Sequence, residues 1–499
     1  MLGARRFIEP IIELTVGWRT FTLSASERFI GPIIELTVNG ALGLVKLIRM
    51  NDIKISIIGA GSAAFSLALV RDLCLTPNLE GSTVCFMDIN EERLKAVYTL
   101  CRRYAEETNV KLRLEQTTDR KESLQDADFV INTALVVGYS GYRAGWNLGF
   151  KHGYRFGGSL HIMHDEGFWI NYYQLRLFES IVNDILDICP DAWYLKLANP
   201  VLAGTTFLGR KYPKLKFIGL CHGYLGVFYI ASVLGLDREK LAFKAPGVNH
   251  FIWMTEFRYN GEDAYPLLDE WIEKDSENYW KTCQFSEYMG PKAVDLYRRF
   301  GVFPIGDTCT PGGGSWPWWY HVDDETEKRW KEDPKGWWRW ALEPSSVDRA
   351  SELMKTAYDP SVKVTSVYPP RKSRESIINI VESISCDIPR VFQVNILNTD
   401  SFVPGVPRDF EVEVPAVVSR TGVKPERTRG LPKALTSYLL RDRVAPVEIE
   451  LEAYENGDKE RLLDLVMMDP WTRSEEQARN LLNDILALPQ YKEMQKHYR

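Results

Sequence analysis

The sequence predicts an α/β fold: a doubly wound parallel sheet followed by an α+β domain. Three observations lead there. The run Lys54-Ile-Ser-Ile-Ile58 feeds directly into Gly59-x-Gly61-x-x-Ala64 and then into helical spacing. A second apolar run, Thr83-Val-Cys-Phe-Met87, ends in Asp88. From there strand-like and helix-like stretches alternate to about Ala245, the pattern of βαβ units.

Each element has a physical reason. Gly59 permits a tight turn, Gly61 lets a pyrophosphate approach the backbone, and a small residue at 64 lets the helix pack on the strand. The helix start at Ser62, Ala64 and Phe65 then faces the phosphates with its free N–H groups. Asp88, at the end of the second strand, is placed to accept both ribose hydroxyls, with Asn90 beside it. No Arg follows Asp88 to meet a 2′-phosphate, so NAD is expected rather than NADP. The unit is therefore a Rossmann-type dinucleotide domain, with Gly59, Gly61, Ser62, Ala64, Phe65, Asp88 and Asn90 as its cofactor residues. Phe129–Val137 reads as a buried strand, Trp169–Pro190 as a helix, and Trp193–Pro200 and Lys216–Cys221 as further strands. Ligands of such sheets bind at the carboxyl ends of the strands, where Asn132, Asn199, Cys221 and His222 converge. Beyond Ala245 the chain turns Trp- and Tyr-rich, with β-runs such as Phe410-Glu-Val-Glu-Val414 and terminal amphipathic helices. The expected division is residues 50–245 for the dinucleotide domain and 246–499 for an α+β substrate and oligomerisation domain.

Residues 1–49 read differently. Arg6-Phe-Ile-Glu-Pro-Ile-Ile-Glu-Leu-Thr-Val16 returns as Arg28-Phe-Ile-Gly-Pro-Ile-Ile-Glu-Leu-Thr-Val38. Two copies are too few for a solenoid, and prolines and polar breaks exclude a signal-peptide core. Met50 stands just before the first sheet strand, so 1–49 is read as a doubtful extension preceding the true start; a strand-forming extension is the alternative. The 499 residues are 45% apolar and 26% charged with net charge −6, which marks an ordinary globular protein without a nucleic-acid footprint. No apolar run is long enough to cross a bilayer. Eight scattered cysteines without a Cys-x-x-Cys pair indicate a reducing, cytoplasmic setting.

Cys221-His222 closes one strand, and Asn249-His250 brings a second imidazole after another. One thiolate and one imidazole are too few for a closed structural zinc site. They leave open positions for substrate oxygens and water, as a catalytic metal requires.

From Met50 onward these pieces resemble glycoside hydrolase family 4. The resemblance is carried by Gly59-Ala-Gly-Ser-Ala-Ala-Phe65, Asp88-Ile-Asn90, Asn199-Pro200, Gly219-Leu-Cys-His222, Gly247-Val-Asn-His250, Tyr297-Arg-Arg-Phe-Gly301 and Val394-Asn-Ile-Leu-Asn398, and by Val412-Glu-Val-Pro-Ala-Val417, Glu450-Leu-Glu-Ala453 and Asp469-Pro470. It implies a fold similar to lactate and malate dehydrogenases, NAD, and Mn2+ or another divalent cation held by Cys221 and His250. It also implies a homodimer or homotetramer, and elimination in place of two-carboxylate displacement. Hydride leaves sugar C3 for NAD, the metal acidifies the C2 proton, the aglycone departs from C1, water adds, and C3 is reduced again.

Residue roles follow from the same resemblance. The leaving-group acid falls in Leu160-His-Ile-Met-His-Asp-Glu-Gly167, with Asp165 preferred and Glu166 next. The base at C2 falls in Phe303-Pro-Ile-Gly-Asp-Thr308, where Asp307 is the ionised candidate and Tyr320 the substitute. Asn199 and His222 are expected to bind substrate. Cys221-His-Gly-Tyr224 is similar to the pattern of members acting on uronic acids, so an α-galacturonide is the first-choice substrate and an α-glucuronide the second. Arg143, Lys196 and Arg155 are candidate partners for its carboxylate, and Trp316-Pro-Trp-Trp-Tyr320 for its apolar face. Neutral α-galactosides or α-glucosides, a malate- or lactate-type dehydrogenase, and a non-catalytic NAD sensor are the alternatives.

Overall fold

The strand Lys54–Ile58 (β1) is buried from Ile55 onward because the sheet is covered on both faces, and the one polar residue of that stretch, Ser56, bonds to Ser123 Oγ at 3.0 Å. The computed structural model describes residues 53–499 except 343, 344 and 374, with backbone alone for the helical parts of 340–351. Before residue 53 it describes the backbone of two hairpins, Ile12–Val16 with Arg19–Leu23 and Ile33–Val38 with Ala41–Lys46, so each copy of the sequence repeat supplies the first strand of one hairpin. Whether translation begins at Met50 lies outside the described residues.

The remaining strands of the large sheet are Thr83–Met87 (β2), Arg113–Thr117 (β3), Phe129–Asn132 (β4), Trp193–Lys196 (β5), Phe217–Gly219 (β6), Gly247–Val248 (β7), Phe251–Met254 (β8), Phe303–Ile305 (β9), Arg390–Leu397 (β10), Glu411–Ser419 (β11) and Gly422–Pro425 (β12). Strands β3-β2-β1-β4-β5-β6 lie side by side and parallel, the strand order of a dinucleotide-binding sheet. The polar strand β3 sits at the edge, where one row of backbone groups faces water. Beyond β6 the sheet continues antiparallel through β10, β11, β7, β8 and β9, with β12 on β11. The joint between β6 and β10 is the pair Gly219–Asn395, so one sheet runs through both halves of the chain.

Three strand expectations are shortened, among them Lys216–Cys221, whose strand ends at Gly219. The run 129–137 leaves the sheet after Asn132, because the side-chain oxygen Oδ1 of Asn132 takes the Ala134 N–H at 3.0 Å and its Nδ2 donates to Tyr194 Oη at 2.8 Å. Asn132 is thus a buried turn-former, and Leu135 and Val136 emerge into solvent. The strand from Trp193 likewise stops at Lys196. The helix expected from Trp169 spans Phe168–Ile188 and buries one side against the sheet.

Candidate active site

The dinucleotide turn forms first and locally. Gly59 has φ +85°, and a Cβ there would meet the Ala134 backbone at 2.6 Å. The Gly61 N–H donates to Asp88 Oδ2 at 2.8 Å, and a Cβ on Gly61 would lie 2.7 Å from that oxygen. Gly61 is therefore dictated by Asp88 as well as by the space a pyrophosphate needs. The helix Ala63–Cys74 (α1) has no acid in its first turn, and its Ser62 cap makes no side-chain hydrogen bond, so its N-terminal N–H groups are available to an anion. Phe65 packs partly into the domain core. Two placements differ from expectation. Ala64 is exposed and does not pack on β1, whose helix contact comes from Leu67 and Val70 deeper along α1. Asn90 accepts from Arg93 N at 3.0 Å and caps the next helix, so its side chain is committed there.

The second group of residues is assembled from distant turns. Cys221 follows β6, His250 lies between β7 and β8, and Asp307 follows β9. Their donor atoms all lie within 4.8 Å of one another. Gly306, at φ +56°, allows this closeness, because a Cβ there would reach Gly223 O at 2.0 Å. His250 itself adopts φ +59°, a conformation costing on the order of 1–3 kcal/mol in a non-glycine residue. Burial pushes the Cys221 thiol up while His250 pulls it back; burial lowers the His250 imidazole, but Cys221 and Glu166 hold its cation, for a net shift well upward. A sulfur, a nitrogen and an oxygen converging with open positions are the donor set of a catalytic divalent ion.

A third group adjoins it. Glu166 Oε1 stands 3.2 Å from His250 Nδ1, which turns the other ring nitrogen toward the donors. The Glu166 N–H donates to His164 Nδ1 at 3.2 Å, and His164 Nε2 lies 2.8 Å from Gly312 O, so His164 carries its proton on Nε2. Asp165 Oδ1 lies 3.0 Å from the same Nδ1 without a hydrogen bond, while Oδ2 accepts from Asn199 Nδ2 at 3.2 Å. Burial pushes the Asp165 carboxyl up; the neighbouring His164 and His250 side chains and the Asn199 amide draw it down, for a net shift below its ordinary range. Gln174 joins this group to the dinucleotide turn: its amide donates to Ala134 O at 3.2 Å and Asn199 O at 2.8 Å, and its oxygen accepts from Val136 N. Gln174 gave no sequence signal, since one polar residue inside an apolar helix reads as tolerated.

Behind His250, Glu411 accepts from Asn249 N at 3.1 Å and Glu413 accepts from Asn249 Nδ2 at 3.2 Å, clamping the residue before the imidazole. Burial raises Glu413 to about 7.

Several expected substrate contacts are redistributed. Lys196 is fully buried and donates to Ala198 O at 3.3 Å and Pro200 O at 2.8 Å, so it holds the loop carrying Asn199 and is closed to a ligand. Arg155 pairs with Asp324 at 2.8 Å and Glu327 at 3.5 Å. Arg143 is exposed on the helix Gly138–Lys151. Trp316 is core, donating to Asp442 at 2.8 Å; Tyr320 is core too, its hydroxyl on Asp295, far from the role of substitute base. The tyrosine at the metal donors is Tyr288, whose phenol is pushed up by the Asp307 carboxylate first and by burial second, with Cys221 adding to the shift. Its segment, Ser286-Glu-Tyr-Met289, carried no motif. His222 is 62% exposed beside Cys221, with Glu375 at 3.9 Å.

The fold and this arrangement define an α/β enzyme with a dinucleotide turn and an open metal-type donor set at the strand ends of one sheet. Comparison with known proteins gives its family: the model for "Family 4 glycosyl hydrolase" matches residues 54–235 and that for its C-terminal domain residues 245–472, and the chain belongs to that family. An α-galactosidase of Bacillus subtilis is 27% identical over 468 residues, covering 88% of this chain and all of that protein. An α-galacturonidase of Lachnoclostridium phytofermentans is 23% identical, covering 88% and 96%. A 6-phospho-α-glucosidase from gut microorganisms, solved in complex with NAD and Mn2+, superposes with a TM-score of 0.71 at 16% identity over 88% of this chain and 98% of that one, which shows a shared fold.

Proposed function

We propose that this family 4 hydrolase cleaves α-galacto-configured glycosides, an α-galacturonide first, by an NAD- and divalent-metal-dependent elimination. The observation that carries the reading is the convergence of Cys221, His250 and Asp307 within 4.8 Å, beside a turn built for a dinucleotide. When bound, NAD takes and returns hydride at sugar C3 and the divalent ion polarises the C2 and C3 oxygens. Cys221 and His250 hold that ion, Mn2+ in the first instance, and Gly61, the α1 N-terminus and Asp88 hold the dinucleotide.

Asp165 is the acid on the leaving-group side. Asp165 Oδ1 faces His164 Nδ1 unbonded at 3.0 Å, and a proton between the two, which Asp165 can pass to the leaving group, completes that contact. Asn199 aims Asp165 through its other oxygen. Asp307 is the base at C2, with Tyr288 beside it as the second acceptor. The uronide and galactoside readings differ only at C6. Cys221-His222-Gly223 supports the uronide, with exposed His222 next in sequence to the Cys221 thiol. The commitment of Lys196 and Arg155 elsewhere supports the neutral sugar as the second reading. A thiolate ligand calls for a reducing compartment, and we place the enzyme in the cytoplasm as a homo-oligomer.

Release of nitrophenol from α- and β-galacturonide, glucuronide, galactoside and glucoside, with NAD, Mn2+ and reductant and with each omitted, tests this. The reading predicts cleavage of an α-galacto substrate only when all three are present. Activity without NAD or metal would overturn it. Asp307→Asn separates base from ligand: a base variant keeps Mn2+ affinity and loses C2 proton exchange, whereas a lost ligand weakens Mn2+ binding.

A further inference from the structure

The loop Thr310-Pro-Gly-Gly-Gly314 touches the surroundings of both Asp165 and Asp307. On one side Gly312 O takes His164 Nε2 at 2.8 Å, which leaves Nδ1 as the nitrogen 3.0 Å from Asp165 Oδ1. On the other, Thr310 Oγ1 donates to Asp307 Oδ1 at 2.8 Å, and a Cβ on Gly312 would stand 2.7 Å from that same oxygen. Backbone N–H groups within the segment occupy Thr310 O and Pro311 O, and Gly158 N occupies Gly314 O. That leaves Gly313 O, which takes Arg443 Nη2 at 3.0 Å.

Arg443 is a costly group to spend on one carbonyl. It belongs to the π-helical turn Leu440–Val444, a distortion that gathers at functional sites, and it is fully buried. Its Nη1 donates to Asp442 O at 3.1 Å and its Nε has no partner. Among the described residues no carboxylate pairs with it, the Asp442 side chain being bonded to Trp316 and Arg441. Its guanidinium stands 5.5 Å from the ring centroid of Phe251, the residue after His250. Burial draws it down to about 10 while Asp442 and Glu166 draw it back, so it stays charged. An apolar side chain would fill the space without the cost of burying an unpaired cation.

We propose that Arg443 is a positioning residue of the reaction: by holding Gly313 it fixes the loop that sets Asp165, through His164, against Asp307. Without Arg443, Gly313 O becomes a buried carbonyl lacking a donor, and the loop must turn it elsewhere. Such a turn carries Gly312 O off His164 and Thr310 off Asp307. The inference rests on the acid and base roles given above.

The test compares Arg443→Met, Arg443→Gln and Arg443→Lys with Asp165→Asn, on phenyl and 2,4-dinitrophenyl glycosides of the sugar the wild-type enzyme cleaves, with NAD, Mn2+ and reductant. Dinitrophenolate leaves with little help from an acid, so its glycoside reports the C2 base, and the phenyl glycoside reports acid and base together. Arg443→Met is expected to lower kcat about 100-fold on the phenyl glycoside and about tenfold on the dinitrophenyl one, with KM and Mn2+ affinity within about threefold. Arg443→Gln, a shorter and neutral donor, gives the same pattern and carries the test if a thermal melt shows the methionine variant unfolded. Arg443→Lys, which keeps the charge and a donor, regains about tenfold on the phenyl glycoside. A residue that only stabilised the fold would lower both substrates alike. Equal losses on the two substrates, turnover within about twofold of wild type in the methionine and glutamine variants, or a loss matched by weaker Mn2+ binding would overturn the proposal. Asp165→Asn separates the two levels. Full turnover of the phenyl glycoside there removes the acid role itself, whereas its loss beside unchanged Arg443 variants removes only the part given to Arg443.

Discussion

The dinucleotide turn and the metal-type donor set both lie at strand ends of one sheet but are made in different ways. Gly59, Gly61, α1 and Asp88 lie within 30 residues, and Gly59 and Gly61 are fixed by local sterics and a single hydrogen bond to Asp88. Cys221, His250 and Asp307 come from three turns spread over 87 positions, and their approach depends on Gly306, on the left-handed His250 and on a clamp from β11. A local device tolerates distant changes; an assembled one is sensitive to every element that positions it. That contrast says which substitutions should uncouple the two cofactors.

The largest effect is expected at the assembled site. Cys221→Ser should weaken Mn2+ by more than about 100-fold and remove turnover, while NAD affinity, read by fluorescence titration, stays within about twofold. A parallel loss of NAD binding would break the distinction. Asp88→Ala should do the reverse, costing about 10- to 100-fold in NAD affinity through the lost charge-assisted ribose bonds while Mn2+ binding holds. Next comes the clamp. Glu413→Gln keeps the oxygen that accepts from Asn249 Nδ2 and should lower Mn2+ affinity only slightly, whereas Glu413→Ala should lower it about 10-fold by freeing Asn249 and the strained His250. Equal behaviour of the two variants would remove the clamp from the account.

The smallest effect concerns stability. Burial raises Asp469 from 3.8 to about 6, so the folded chain holds a proton there that the unfolded chain has lost between those values. Stability is therefore full below the unfolded value and falls by on the order of 2–3 kcal/mol as pH rises to the folded value. Asp469→Asn should raise the melting temperature at pH 8 and leave it unchanged near pH 4.

What the sequence revealed follows the same division. The parallel sheet around β1, the turn at Gly59 and the acid at Asp88 were legible because their causes are local. Cys221 and His250 were legible as residue types at strand ends, but Asp307 beside them was reached only through a family resemblance. Lys196 and Arg155 were candidates by position alone, because a sequence does not show the Pro200 carbonyl or the Asp324 carboxylate that occupies each. Trp316 and Tyr320 looked like a sugar platform for the same reason, since aromatic clusters build cores and platforms alike. Gln174, Tyr288 and the Glu411–Glu413 clamp gave no signal, because their roles arise from contacts made across the sheet. Ala64 shows the opposite error: the glycine-rich pattern fitted, yet the packing was taken over by Leu67 and Val70.

The most direct measurement is turnover of a nitrophenyl α-galacturonide or α-galactoside in D2O with NAD, Mn2+ and reductant, the released sugar being read by NMR. The elimination account predicts solvent deuterium at C2 of the product, absent when Asp307 is replaced by asparagine. A released sugar carrying only its original C2 proton would contradict it and return the reaction to direct displacement.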